Sequence, residues 1–469
     1  MIFAGRSQEL GAIRGLLDQR HPVLLRITGL PGVGKSSLVR RAVTDFEGVV
    51  CTCPPLPASD QRFAVASRIE RTGHPPGADA DWPEIFAAIL NAARSASRPW
   101  VLVLDDAHRL SEARARFLPS LIAALHTAAG TGVPLHVVLV GRHAGLPDEQ
   151  EFPAEFTVST KRVPPLPLRA AANFLPGATA HARVRAYGVF GGIPRVLSAL
   201  DPSVTVGTNV RRLVLHGDGV LADAPLAWLE REVQKPTRYL AILRTLACGA
   251  ADWATVHTGV PDLTRSGQVA PYINRLAELG MVESATSLDA GTRSRSTRYS
   301  LTDPFLAFWL RFALPWRLDE RRYDERRDDQ RSALREHYTR TVRPAVASHL
   351  ESLMPGLARQ HMRNDAIETL GATARECGSL WGSSYEIPVA GILTSGAAFY
   401  GSCSWKPPTR DADLLAALDA EVRETRYGFG RERRLRLLFT GRAAPTWLRR
   451  EVARRPDAEL IDAGALLGE

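Results

Sequence analysis

Gly29-Leu30-Pro31-Gly32-Val33-Gly34-Lys35-Ser36 fits the eight-position P-loop pattern, in which backbone N–H groups turn inward around phosphate oxygens. It follows an apolar run, Val23 to Thr28, that reads as a strand, and it opens a segment, Ser36 to Val43, that reads as a helix. The glycines let the backbone curl, and the helix N-terminus adds partial positive charge facing the phosphates. Lys35 is expected to reach the β and γ phosphates of a nucleotide, and the Ser36 hydroxyl to bind Mg²⁺. Gly29, Pro31, Gly32, Gly34 and Ser37 complete the expected nucleotide-facing set, ATP or ADP being the ligand; a chance glycine-rich turn is the alternative.

A second apolar run, Trp100 to Leu104, delivers Asp105 and Asp106 at its end. A carboxylate there can hold the magnesium shell, which assigns Asp105 to the metal and Asp106 to orienting water. Many NTPases carry Glu at the second position; Asp is one methylene shorter, so slow hydrolysis and long-lived nucleotide states are expected. The same pair could instead cap a helix near Ser111. The run Leu135 to Val140 ends in Gly141-Arg142, which makes Arg142 a candidate for sensing the γ phosphate or else one surface arginine among dozens.

These residues need a scaffold. From Val23 to about Val163 strand-like runs alternate with longer helical segments, as in a parallel sheet covered on both faces; the strands are Val23 to Thr28, Gly48 to Thr52, Trp100 to Leu104, Leu135 to Val140 and about Phe156 to Val163. The expected class is α/β: a P-loop (RecA/ASCE-like) core over 1–167. After Val163-Pro164-Pro165-Leu166-Pro167 a helical lid spans 168–235, broken at Gly191-Gly192-Ile193-Pro194. Residues 236–312 read as a winged helix-turn-helix, with helices Arg238 to Ala247, Trp253 to Thr258 and Val269 to Leu279 and a hairpin of Met281 to Ala285 with Thr297 to Leu301. A charged linker helix occupies 313–345, where Arg317 to Arg343 holds nine arginines against seven acids. A further α/β domain fills 346–469, with strands at Ala397 to Ser402 and Leu435 to Phe439.

Composition bounds the rest. The 469 residues, 45% hydrophobic and 23% charged, suit about three globular domains. No run approaches the roughly 18 apolar residues of a membrane span, and the N-terminus lacks the regions of a secretory signal, so a cytoplasmic protein without membrane contact is expected. Cys51, Cys53, Cys248, Cys377 and Cys403 are odd in number and scattered, which favours neither a disulfide framework nor a zinc site. The net charge of +9 comes from arginine, since the only lysines are Lys35, Lys161, Lys235 and Lys406; this bias weakens it as a sign of nucleic-acid binding.

Phe3-Ala4-Gly5-Arg6 with Glu9-Leu10, the P-loop, Asp105-Asp106, Gly141-Arg142, Gly191-Gly192-Ile193-Pro194, Ile273-Asn274-Arg275-Leu276, Leu279-Gly280-Met281-Val282 and the segment Tyr299 to Trp309 together resemble the STAND class of signal-transduction ATPases. More narrowly, the chain resembles the archaeal-type ATPase family, which joins such an ATPase to a winged helix and a PD-(D/E)XK nuclease-like tail. The resemblance implies a slow ATP hydrolase acting as a switch: ADP holds lid and winged helix against the core, with Pro194 near the nucleotide, and ATP permits opening, self-association or engagement of a protein partner.

In the tail the chain departs from the family's pattern, and the tail is therefore expected to be catalytically inactive. In such nucleases an Asp on one strand and a Glu-x-Lys pair on the next hold the metal; Pro388, Ser402 and Ser404 stand at the matching places, beside Glu386, with Glu351 and Lys406 as partial substitutes. The alternative function is a DNA-binding ATPase. Its phosphate contacts would come from Arg275, Arg293, Arg295 and Arg298 of the winged helix and from Arg423, Arg426, Arg431, Arg433, Arg434 and Arg436, interleaved with Tyr427 and Phe429.

Overall fold

The computed structural model describes every residue except 1–2, 78, 112–113, 155, 291–296, 320–326, 407–408 and 410–412. The chain divides into two compact units, Arg6–Pro165 and Met1–Gly5 with Leu166–Glu469.

The first unit is a parallel sheet of β1 (Val23–Thr28), β2 (Glu47–Thr52), β3 (Trp100–Asp105), β4 (Leu135–Val140) and β5 (Thr157–Arg162), in the order β2-β3-β4-β1-β5. β1, β3 and β4 are buried at every position, which is why they read as continuous apolar runs rather than alternating ones. Successive side chains nonetheless go to opposite faces. Leu25, Ile27, Val101, Val103, Val138 and Val140 pack with α1 (Ser7–Leu17) and α2 (Lys35–Ala42). Leu24, Leu102, Leu104, Val137 and Leu139 pack with α3 (Ala58–Glu70), α4 (Trp82–Ser95) and α5 (Arg114–Thr131), around Trp82, Phe86 and Phe117. β1, β3 and β4 thus end side by side, with the P-loop, Asp105 and Arg142 following them.

The second unit carries two sheets. β6 (Ala251–Asp252), β7 (Val282–Thr286) and β8 (Thr297–Leu301) form a small antiparallel sheet beside the helices Pro236–Leu246, Trp253–Thr258 and Ala270–Glu278. β9 (Ala374–Trp381), β10 (Glu386–Leu393), β11 (Ala398–Ser404), β12 (Arg434–Thr440) and β13 (Ala458–Ile461) form a mixed sheet in the order β13-β12-β11-β10-β9. β9, β10 and β11 are antiparallel, while β11, β12 and β13 run parallel. The helix Arg343–Leu370 precedes this sheet, and the charged segment before it has a described helix at Arg327–His337 while 320–326 lie outside the described residues.

The sequence reading placed no strands at β9 and β13, and its reading of 346–469 from periodicity also lacked β10. β9 is an edge strand with one fully buried residue, Leu380, and β10 contains Pro388, a residue that argues against a strand. The proline is accommodated where the β9–β10 register shifts between Ile387 and Ala390.

Within this unit the small sheet is fastened to the mixed one. Leu288 N–H donates to the Ser379 carbonyl at 3.0 Å, and Asp289 accepts from Tyr385 at 2.5 Å and Thr425 at 3.0 Å. Arg298 pairs with Glu386 at 2.6 Å and lies 4.6 Å over the Trp381 ring.

A buried carboxylate joins two of the segments singled out in the sequence. Asp303 caps the helix Pro304–Phe308 by accepting from Leu306 N–H at 2.9 Å, and a Cβ on Gly191 would lie 2.5 Å from its Oδ2. Burial lifts the Asp303 carboxyl to about 6. A folded-state value above the unfolded one means that this contribution to stability is full below the unfolded value and is lost as pH rises through about 6. Asp303→Asn keeps the cap and stays neutral, so in denaturant titrations it is expected to remove that fall and to exceed the wild type by up to about 3 kcal/mol near neutral pH.

Candidate functional site

The loop between β1 and α2 is shaped by left-handed glycines: Gly29, Gly32 and Gly34 have φ of 143°, 79° and 95°. At Gly29 the approach is also close, since a Cβ would lie 2.6 Å from the Val163 carbonyl oxygen. Lys35 opens α2, and its ammonium donates to the loop's own carbonyls, Gly29 at 2.8 Å and Leu30 at 3.2 Å. Pro31 and Ser37 belong to the same loop and first helical turn.

Ser36 Oγ donates to Asp105 Oδ1 at 2.8 Å, joining α2 to the end of β3. The same Oδ1 accepts the Asp106 N–H at 3.1 Å, and Arg40 stands 3.7 Å from Oδ2. A hydroxyl and a carboxylate converging from two elements are hard oxygen ligands of the kind Mg²⁺ takes, so the residues present fit that ion.

Asp106 has φ of 59°, the only left-handed non-glycine among the described residues and a conformation that Asp tolerates. The turn it makes is closed by Arg109 N–H donating to the Asp106 carbonyl at 2.9 Å, and its carboxylate pairs with the Arg109 guanidinium at 3.2 Å. Arg142 follows Gly141, whose N–H donates to Ile27 of β1 at 3.1 Å, so it sits at the end of the strand next to the one feeding the P-loop. Lys35, Ser36, Asp105, Asp106 and Arg142 therefore share one end of one sheet. Pro194 belongs to the second unit, where it begins the helix Pro194–Leu197 after the Gly191-Gly192 turn.

Two residues of the site escaped the sequence reading as individuals. Arg6, part of a quoted motif, is a buried guanidinium that donates to the carbonyls of Val33 in the P-loop at 3.1 Å and Pro164 at 2.7 Å while pairing with Glu9 at 2.8 Å. His108 lies buried beside Asp106; burial, Arg142, Arg109 and Lys35 lower its pKa to about 4, so the ring is neutral at physiological pH. An acid-x-His spacing was the only signal for it.

In the tail, the candidate groups are engaged elsewhere. Glu386 pairs with Arg298, Glu351 accepts the backbone N–H groups of Trp405 at 2.9 Å and Lys406 at 3.1 Å, and Arg359 donates to the Pro388 carbonyl at 2.8 Å. Ser402 and Ser404 lie on β11, and the Ser404 hydroxyl donates to the Lys406 carbonyl. Of the basic stretch, Arg436 pairs with Asp419 at 2.7 Å and Arg434 donates to the Val422 carbonyl at 3.4 Å, whereas Phe429 is exposed. Arg275 pairs with Glu278 at 3.0 Å, and Arg293 and Arg295 lie outside the described residues. No described helix is long and apolar enough to cross a membrane.

Residues 2–140 match the family model described as AAA ATPase domain. With the sheet order and the P-loop, this gives the first unit a P-loop ATPase fold. An uncharacterized protein of Methanocaldococcus jannaschii, MJECL04, is 21% identical over 319 residues, covering 67% of this chain and 69% of that protein. Among solved structures, the Walker-type ATPase PABY2304 of Pyrococcus abyssi aligns at 17% identity over 66% of this chain and 96% of its own, with a TM-score of 0.49. The STAND protein PH0952 of Pyrococcus horikoshii, which has a tetratricopeptide repeat sensor, aligns at 14% identity over 77% of this chain and 53% of its own, with a TM-score of 0.30.

Arg6→Met keeps the apolar stem and removes the donors to Val33 and Pro164. Denaturant unfolding is expected to show a loss of about 2 kcal/mol, and an ADP titration a weaker affinity, because the P-loop loses its tie to the segment after β5.

Proposed function

We propose that the chain is a STAND-type ATPase that binds ATP and ADP at the P-loop, hydrolyses ATP slowly and works as a nucleotide-driven conformational or assembly switch. The observation that carries this reading is the Ser36–Asp105 hydrogen bond beneath a P-loop whose lysine is folded onto its own carbonyls. Phosphate oxygens would draw Lys35 off Gly29 and Leu30, and the loop N–H groups would orient the chain of phosphates. Ser36 and Asp105 are the residues that would hold Mg²⁺, which would supply charge neutralisation for the phosphates. Asp106 accepts a proton from, and aims, the attacking water, while Arg142 reads the γ phosphate. A resting Asp106–Arg109 pair supports slow turnover, since the carboxylate must leave a guanidinium to act on water. A γ phosphate moves the switch only by favouring one arrangement over the other, and Lys35 and Arg142 are the groups that would supply that difference.

The tail, on this reading, is a catalytically inactive nuclease-like domain. Pro388, Ser402 and Ser404 cannot replace carboxylates, and the engagement of Glu386 with Arg298 and of Glu351 with backbone N–H groups supports a structural role. Residues 236–312 would be a winged helix committed to the tail rather than to DNA, with Arg298 as the committed cation.

Light scattering of the full chain is expected to give a larger molar mass with a slowly hydrolysed Mg-ATP analogue than with Mg-ADP, and no difference for Lys35→Ala. Equal masses in both nucleotides would argue for a monomeric ATPase. Asp106→Asn, which tolerates the same left-handed backbone, is expected to retain nucleotide and to lose at least about tenfold in kcat.

A further inference from the structure

His108 is a buried polar group beside the site that the reading above leaves without work. Its side chain is 7% exposed, and its Nδ1 has no hydrogen-bond partner among the described residues while standing 4.0 Å from Asp106 Oδ1. A buried donor or acceptor left unpaired is costly, and closing this gap to hydrogen-bond length takes about 1 Å. The ring is also seated against the turn that carries Arg142. A Cβ on Gly145 would fall 2.5 Å from His108 Cβ, and one on Gly141 would fall 3.1 Å from Nδ1. Glycine at both positions is what lets the ring sit between the acidic turn and the end of β4.

We propose that His108 is the positioning residue of the hydrolytic step: its Nδ1–H takes over the Asp106 carboxylate from Arg109 and holds it toward the attacking water. This rests on the ATPase reading. The exchange has a chemical reason, because a carboxylate paired with a guanidinium is a weak base, whereas a neutral donor fixes its direction and leaves its charge available. Burial first, then the charges of Arg142, Arg109 and Lys35 that face the ring, keep it neutral against the opposing pull of Asp105, so it serves as a hydrogen-bond donor and not as a second cation. The contact with Gly141 and Gly145 also couples the position of Asp106 to the turn bearing Arg142, so that a shift of that turn moves the ring.

The test compares steady-state ATP turnover, fluorescent ADP affinity and thermal unfolding in the wild type, His108→Phe and His108→Asn, all in the full chain. Phe keeps the buried ring and removes the donor; it is expected to lower kcat at least about tenfold while KM and ADP affinity stay within about twofold. Asn places an amide nitrogen near the Nδ1 position and is expected to restore most of the rate. Wild-type kcat in His108→Phe overturns the proposal. So does a parallel loss of ADP affinity and rate that Asn does not rescue, which is the signature of packing alone. Should His108→Phe fail to fold, His108→Leu takes its place against the same Asn variant, with the same outcomes. A wild type that binds ADP but turns over no ATP, or binds no nucleotide, overturns the ATPase reading itself, a failure visible before any His108 variant is compared.

Discussion

The hydrogen bond from Ser36 to Asp105 is the contact on which the first unit's chemistry depends. It links the first turn of α2, which follows β1, to the end of β3, and in the sheet β1 and β3 are separated by β4. For those ends to meet, β1, β4 and β3 must lie parallel and in register, which the pairs Ile27–Val140 and Asp105–Val140 secure. The register in turn is held by two apolar layers on opposite faces of strands that are buried throughout. The proposed site for phosphate and metal is thus an outcome of sheet geometry, and the loop adds only the curvature that its glycines permit.

Around that contact, Lys35, Asp106 and Arg6 all have partners. Lys35 is held by loop carbonyls, Asp106 by Arg109, and the Val33 carbonyl by the buried Arg6. Each of these contacts uses a group that phosphate or water would otherwise engage, or fixes the backbone that presents one. The second unit follows a comparable rule at a larger scale. Its two sheets are joined through Asp289, Arg298 and Glu386, and its capped helix at Pro304 is tied to the Gly191 turn by the Asp303 carboxylate.

Much of this was legible in the sequence. β1, β3 and β4 announced themselves as apolar runs because both their faces are covered, and the P-loop spacing has few other uses. The helices and the hairpin of 236–301 showed through their periodicity, with Trp253–Thr258 and Thr297–Leu301 at the bounds read from the sequence. What stayed hidden was hidden for physical reasons. β9 carries one fully buried residue on an edge, and β10 contains a proline that a register shift absorbs. His108 has only an acid-x-His spacing as a local signature; its placement depends on two glycines more than thirty residues later that leave room for it. The buried state of Arg6 and Asp303 depends on partners far along the chain, Pro164 and Gly191, which no local pattern reveals.

The central claim is that Ser36 and Asp105 form a metal-assisted nucleotide site, and calorimetric titration of the full chain with a slowly hydrolysed ATP analogue, with and without Mg²⁺, tests it most directly. The account expects Mg²⁺ to tighten binding by at least about tenfold in the wild type, with that gain lost in Asp105→Asn while metal-free binding persists. Equal affinity with and without Mg²⁺ in the wild type, or the same gain in Asp105→Asn, would contradict it.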